Sequence, residues 1–438
     1  MKKILKAAFF VSVATMLGIG SASAQSKEEV QRDSLMQSHR VIAIDRHTDL
    51  SNNDSVRRVI EEYYADQFRH FQDPAAPYFL FLSRDSQLAM GIGGVVRMRG
   101  WYEWGGAIPA NGFTPYLIPV GSTDPTKSRH LGTTPSGTAL YFRVIGRNKK
   151  LGNYQVYIEA NFNGYQSRDF LLKKAYATLN DWTIGYAAST FSDPAAVSPT
   201  VDASGPNNKM AATDVLVRWM HTWRGHWTAA ASVETPSDRI DADGTQTKAV
   251  DQWLPDVAAF GQYGWGGGQH VRLAGVLRTL PYRNMITGKN INKIGWGLQL
   301  SSIARPTSSI TTYITANTGR GYAGLGGDLL VGSYDLVADP AKPGELYAPL
   351  AFGYSAGVQY NFTPSVFMSG TFSQTRYLPE HQVDPSDYKY GLYMAVNAFW
   401  YLTPRIMAGV EFDLGKRQNF SGEHKWARRA GAVVQFSF

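Results

Sequence analysis

The sequence predicts an all-β chain, a transmembrane antiparallel β-barrel of about 16 strands preceded by a short helical N-terminal periplasmic extension. Three observations predict it. Apolar and polar residues alternate with period two in run after run from Asp85 to the last residue. The chain opens on a secretory signal. It also holds 24 Tyr, 21 Phe and 11 Trp while its mean hydropathy is only −0.25. Plentiful aromatics on a polar average fit strands with one lipid face and one wet face.

Lys2, Lys3 and Lys6 precede an apolar run over 7–19, and Ser21-Ala22-Ser23-Ala24 follows. This is the charged, apolar, small-residue order of an export signal, with cleavage expected after Ala24. The run is too short for an ordinary transmembrane helix, and no later stretch offers about 18 consecutive apolar residues. A membrane form of this chain therefore crosses with strands. There is no cysteine, which suits an exported chain without disulfides and excludes a lipid-modified terminal Cys. The net charge of +8 falls to about +5 once the three signal lysines are removed. Basic and acidic residues interleave, so the dense basic cluster that nucleic-acid binding needs is missing. No residue pattern calls for a cofactor or a metal.

The expected organisation is a signal over 1–24, a periplasmic helical extension over 25–80 and a barrel over 81–438. In the extension, Val56, Ile60, Tyr63, Tyr64, Phe68 and Phe71 recur at helical spacing behind the capping candidates Asn53 and Asp54, which predicts an amphipathic helix over 54–71. In the barrel, Ile92, Val96, Met98 and Tyr102 share one face and Arg97, Arg99 and Glu103 the other. Tyr154, Val156 and Ile158 oppose Gln155, Tyr157 and Glu159, and Val410 and Phe412 oppose Glu411 and Asp413.

Such runs place strands near 85–104, 136–147, 153–164, 168–179, 181–191, 213–223, 226–234, 253–263, 269–280, 291–302, 307–318, 349–361, 365–377, 388–401, 405–416 and 425–438. Alternation is weakest in 168–179 and 253–263, where a slip of one residue is expected. Short joints such as Asn180-Asp181 and Trp223-Arg224-Gly225 alternate with long polar connections over 105–135, 192–212, 235–252, 319–348 and 378–387. That asymmetry fits short periplasmic turns and long external loops. Phe438 closes an outward row of Trp426, Ala430, Ala432, Val434 and Phe436, which resembles the C-terminal assembly signal read by the barrel assembly machinery.

A sixteen-strand barrel is wide enough to leave an aqueous channel, whereas one of eight is filled by side chains. Asp169 to Leu179, Ile184-Gly185-Tyr186 running into Ser189-Thr190-Phe191-Ser192-Asp193-Pro194, and Asp202-Ala203-Ser204-Gly205-Pro206 are similar to the strand and proline-rich constriction loop of the DcaP-like porins. The resemblance covers about a tenth of the chain. It implies a homotrimer in the Gram-negative outer membrane, contacting outer-membrane lipid and passing small-molecule solutes passively, with a loop folded into the pore.

The loop over 192–212 offers Asp193, Asp202 and Lys209 as constriction candidates, held by Pro194, Pro199 and Pro206. An ordinary surface loop is the plain alternative. Arg97, Arg99, Arg143, Arg147, Arg218, Arg272, Arg278 and Arg429 fall on the polar parity and, with Glu103, Glu159, Glu411 and Asp413, are the pore-lining candidates. A ladder of guanidinium groups favours anions. If the acids pair with them instead, they stiffen the interior. Trp101, Tyr102, Trp104, Trp182, Trp219, Trp223, Trp227, Trp400, Tyr401 and Trp426 suit interfacial girdles.

Two other classes compete with a channel for hydrophilic, anion-leaning solutes. A structural barrel would anchor peptidoglycan or a partner through 25–74. An outer-membrane hydrolase would need a catalytic constellation. His221 and His226 stand five apart, a poor spacing for two ligands on one strand face, and neither a Gly-x-Ser-x-Gly elbow nor a phosphate-cradling loop occurs. The sequence thus predicts a non-enzyme.

Overall fold

The computed structural model describes residues 40–43, 79–83 and 88–438, apart from 107, 109, 110, 122, 123, 149, 151, 164–167 and 237–239. The signal over 1–24 and the helix expected over 54–71 lie outside the described residues. Sixteen strands form the barrel: β1 Leu88–Trp104, β2 Ala139–Asn148, β3 Gly152–Phe162, β4 Phe170–Leu179, β5 Trp182–Ala188, β6 Thr213–Trp223, β7 Trp227–Glu234 and β8 Asp256–Gly266. They continue as β9 Gln269–Asn284, β10 Lys289–Thr307, β11 Ile310–Arg320, β12 Leu350–Thr363, β13 Val366–Leu378, β14 Tyr388–Thr403, β15 Ile406–Asn419 and β16 His424–Ser437.

Each strand pairs antiparallel with the next, and β16 returns to β1 with Gln435 opposite Arg97 and Ser437 opposite Val95, so the wall is closed. Closure leaves no edge of unpaired amides, which a hydrocarbon surrounding demands. Outward residues are exposed and apolar, as at Met98, Ile158, Leu298, Val396 and Val434, while their inward neighbours are buried and largely polar. This apolar exterior is a lipid-facing belt.

The short turns gather at one end of the barrel. Arg224 and Gly225, with φ of 50° and 71°, make one of them in the mirror-image turn geometry that matches strand twist. Phe438 sits at that end, exchanging both backbone hydrogen bonds with Gly94 at 2.8 and 3.0 Å. Below it the unpaired edge of β1 is taken over by a short strand, Phe79–Leu82, which pairs antiparallel with Ala89–Ile92 and parallel with Arg40–Ala43. Of these two strands, Arg40–Ala43 falls within the stretch read from sequence as a helical extension and Phe79–Leu82 straddles its end; neither was anticipated, because four-residue strands carry too few alternations to register.

Most strand boundaries differ from expectation by a few residues, and three departures have a visible cause or consequence. The fifth strand ends at Ala188, because Ser189 and Thr190 turn inward to meet Glu234. The eighth is shifted to Asp256–Gly266. In β4 Lys173 is an extra residue, since Glu159 pairs with Lys174 and Ala160 with Leu172. This bulge is the physical source of the weak alternation in that stretch. It sends Lys173 inward, where its ammonium meets Glu159 at 2.8 Å.

The seam tolerates little added volume. A Cβ on Gly94 would stand 2.6 Å from the Ala139 carbonyl oxygen and 2.8 Å from the Phe438 ring, whereas one on Gly100 finds its nearest neighbour at 3.7 Å. Gly94→Ala is expected to lower barrel stability by about 1–3 kcal/mol and Gly100→Ala to leave it near wild type. Loss of the heat-modifiable gel band on a temperature ramp measures both.

Candidate functional site

The interior is built by alternation and then filled by loops. Segment 189–212 leaves β5 and runs across the lumen, touching the wall at successive stations. At its root Glu234 on β7 accepts from Ser189 Oγ at 2.6 Å, Thr190 N at 2.8 Å and Ser232 Oγ at 2.7 Å. The Asp193 carboxylate then accepts from His270 Nε2 on β9 at 2.8 Å and from Ser301 Oγ on β10, with Arg272 Nε at 3.7 Å. Burial alone would raise the Asp193 carboxyl, but Arg272, His270 and Ser301 overcome it and hold it well below the usual carboxylate range.

Further along, the Pro199 carbonyl accepts from Ser369 Oγ on β13 and Asn397 Nδ2 on β14. Glu411 on β15 then accepts from Val201 N at 2.7 Å and Asp202 N at 2.6 Å. Its carboxylate caps the loop backbone rather than pairing with an arginine. Asp202 in turn holds Arg429 Nη1 at 2.8 Å and the amides of Phe113 and Ser204. Asn207 bonds Ser373 Oγ, Asp328 Oδ2 and the Gly391 carbonyl, and Asn208 bonds Thr315 Oγ1. Lys209 donates to the Ser204 carbonyl at 3.4 Å. Its side chain thus folds back on its own loop.

Two other connections also fold in. Ile108, Phe113 and Ile118 pack on Tyr393, Ala395 and Ala427, and Tyr322, Leu325 and Leu329 join Phe191 and Met210 against Phe260, Val276 and Tyr377. The sequence reading took 105–135 and 319–348 as polar external connections. Those apolar residues, scattered among Gly and Pro, were the available signal. A short helix, Gly327–Val331, carries Asp328, whose carboxylate also accepts from Tyr388 OH at 2.8 Å. Burial is the main cause that pushes the Asp328 carboxyl up to about 6.

The pore-lining candidates all lie on inward positions, and they divide into two groups. Arg278 is bound by Asp256 at 2.9 Å and Asp335 at 3.0 Å, Arg429 by Glu103 and Asp202, and Arg272 by Gln262 and the Ser192 carbonyl while stacked on Phe260. These three clamp loops to the wall. Elsewhere on the wall Arg97 donates to Gln435, Arg143 to Gln155 and Arg218 to the Ala188 carbonyl. Arg147 is exposed at the short-turn end. Arg99 faces a cavity of about 10 Å³, room for one water, lined also by Asp202, Glu411 and Asp413. Asp413 accepts from Tyr393 OH at 2.8 Å, and Glu159 from Lys173. Trp101 and Tyr401 leave the girdle assigned to them. Both sit on inward positions, Trp101 under the Arg429 guanidinium at 5.1 Å.

No family model matches the chain, and no curated protein matches it in sequence. The fold has solved counterparts. The outer membrane channel DcaP of Acinetobacter baumannii superposes with a TM-score of 0.68 at 17% identity, covering 81% of this chain and 98% of that one. An anion-selective porin from Comamonas acidovorans gives 0.51 at 11% identity over 80% and 100%. The trimer form of OmpT, an outer membrane protein of Vibrio cholerae, gives 0.50 at 9% identity over 80% and 99%. Similarity at these identities lies in the fold, a closed sixteen-strand barrel.

Two outcomes follow from the loop anchors. Glu411→Leu leaves two buried amides without an acceptor, each worth about 1–3 kcal/mol, so protease cleavage within 199–209 is expected to accelerate while the barrel band on unboiled gels persists. For Asp328 the folded value lies above the ordinary one, so its contribution to docking is complete below about pH 4 and fades as pH rises through about 6. Amide exchange over 323–331 should therefore quicken between pH 4 and 6, and Asp328→Asn should flatten that dependence.

Proposed function

We propose that this chain is an outer-membrane porin that admits small hydrophilic solutes by passive diffusion, with a preference for anions and without catalysis. The observation that carries the reading is the inward loop 189–212, pinned across a closed sixteen-strand wall whose lumenal face is charged. A barrel of this strand number leaves an aqueous interior unless loops narrow it, and here a narrowing device is present with its own anchors on β7, β9, β10, β13 and β15. The counterparts include a porin described as anion-selective and an outer membrane protein solved in a trimer form. Assembly of this chain as a homotrimer belongs to the same proposal.

The anion preference rests on the β1–β6 sector. There Arg97, Arg99, Arg143, Arg147 and Arg218 outnumber the inward acids Glu103, Glu159 and Asp214, of which Glu103 pairs with Arg429 and Glu159 with Lys173. Asp193, Asp202 and Glu411 are engaged in anchoring the loop, and Asp413 accepts from Tyr393. An excess of guanidinium groups over inward acids in the β1–β6 sector favours a solute with a carboxylate or phosphate. The signal over 1–24, the extension over 25–80 and reading of Phe438 by the assembly machinery complete the proposal.

Planar-bilayer recording tests it. The expected result is stable conductance with chloride passing more readily than potassium, and a shift toward neutrality in Arg97→Gln/Arg143→Gln. Absence of conductance, or a clear cation preference, would contradict the channel or its selectivity respectively.

A further inference from the structure

The geometry points to a binding surface on the barrel exterior for a phosphorylated glycolipid of the outer leaflet, at the long-loop end of β13–β16 and β1. It rests on the outer-membrane reading above. Arg376 on β13, Lys416 on β15 and Arg428 on β16 all point outward, and Arg129 extends the row on the short strand Arg129–Thr134 that pairs with β1. The pairing register aligns them: Arg376 lies opposite Tyr390, Lys416 opposite Trp426, and Arg428 opposite Trp104, which lies opposite Arg129.

Charge separates this sector from a general snorkelling rim. Among the outward positions of these strands there is no Asp or Glu, so the cations meet no acid on their own surface. The nearby Glu380 is taken by Arg320. Arg376 and Lys416 rest instead on the Tyr390 ring at 5.4 and 5.3 Å, and Lys416 on Trp426 at 5.8 Å. Aromatic rings at the ends of an apolar wall mark the headgroup level of a bilayer. Directly beneath lie Phe412, Val410 and Val434, exposed and apolar, where acyl chains would run.

Strands stand about 4.8 Å apart, so the row from β13 to the 129–134 strand spans roughly 24 Å. That breadth suits a headgroup with more than one phosphate better than a single phosphodiester. The long-loop end faces outward from the cell in barrels of this type, which fixes the leaflet. By contrast, the upper outward positions of β4, β6 and β7 are apolar, as at Phe170, Leu172, Val215 and Val233.

Native mass spectrometry of the detergent-solubilised full chain with diphosphorylated lipid A tests the assignment. Wild type is expected to retain it, and Arg376→Gln/Lys416→Gln/Arg428→Gln to bind roughly a hundredfold more weakly, about fivefold per cation at low salt. Arg283→Gln on β9 should bind as wild type. Equal retention of dephosphorylated lipid A or of phosphatidylglycerol, unchanged binding by the triple variant, or an equal loss with Arg283→Gln would overturn the proposal. So would a triple variant that changes oligomeric state while keeping the lipid, since the face would then join copies of this chain. Should the triple variant fail to fold on unboiled gels, Lys416→Gln and Arg428→Gln singly carry the same test at fivefold each. Lipid retention is read without conductance, so a failed channel and a failed lipid site are distinguishable.

Discussion

Everything in this molecule depends on the need to satisfy backbone amides where no water can reach them. A sheet in hydrocarbon has no tolerance for an open edge, and the junction of β16 with β1 removes the last one. The same demand explains the segment Phe79–Leu82. The final strand ends opposite Gly94, yet β1 begins six residues earlier, and that remaining edge is covered by a second short strand rather than left bare. Closure then dictates the chemistry of both faces, because each strand residue must choose lipid or lumen.

The lumen shows what polar side chains do once the wall is closed. Carboxylates are used chiefly as acceptors for loop amides: Glu234 for the loop root, Glu411 for its middle, Asp202 for Phe113 in the neighbouring loop. Each buried donor would otherwise cost about 1–3 kcal/mol. Charge that might have been expected to line a passage is therefore partly consumed in holding the constriction. Arg97 and Arg143 donate to Gln435 and Gln155, and Arg218 donates to the Ala188 carbonyl at the root of the loop. Loop anchoring thus draws on the same inward charges on which the proposed selectivity rests.

The alternation of the strands was legible because it is a local property. Residues two apart share a face whatever the rest of the chain does, so sixteen runs could be read with boundaries off by a few residues, and even the bulge at Lys173 showed as a weakened pattern. The inward folding of Ile108, of 111–118 and of 321–336 was not legible. Ile108, Phe113, Leu325 and Leu329 have no periodicity to reveal them, and their burial depends on partners such as Tyr393 and Tyr377 that lie far along the chain. Trp101, by contrast, obeys the alternation: it shares the parity of Arg99 and Glu103 and turns in beneath Arg429, while Tyr102 and Trp104 face out.

By itself the sequence determined the class of fold, the number of strands, the face on which each arginine sits and the loop most suited to narrow the lumen, since period-two hydropathy and proline content act at short range. Tertiary structure alone decided which charges pair. Asp193 meets His270 and Ser301, Asp202 meets Arg429, and Asn207 meets Asp328, across separations of 77 to 227 residues. Such contacts exist only after the barrel has closed and brought distant strands around a common interior, and no local pattern in the chain encodes them.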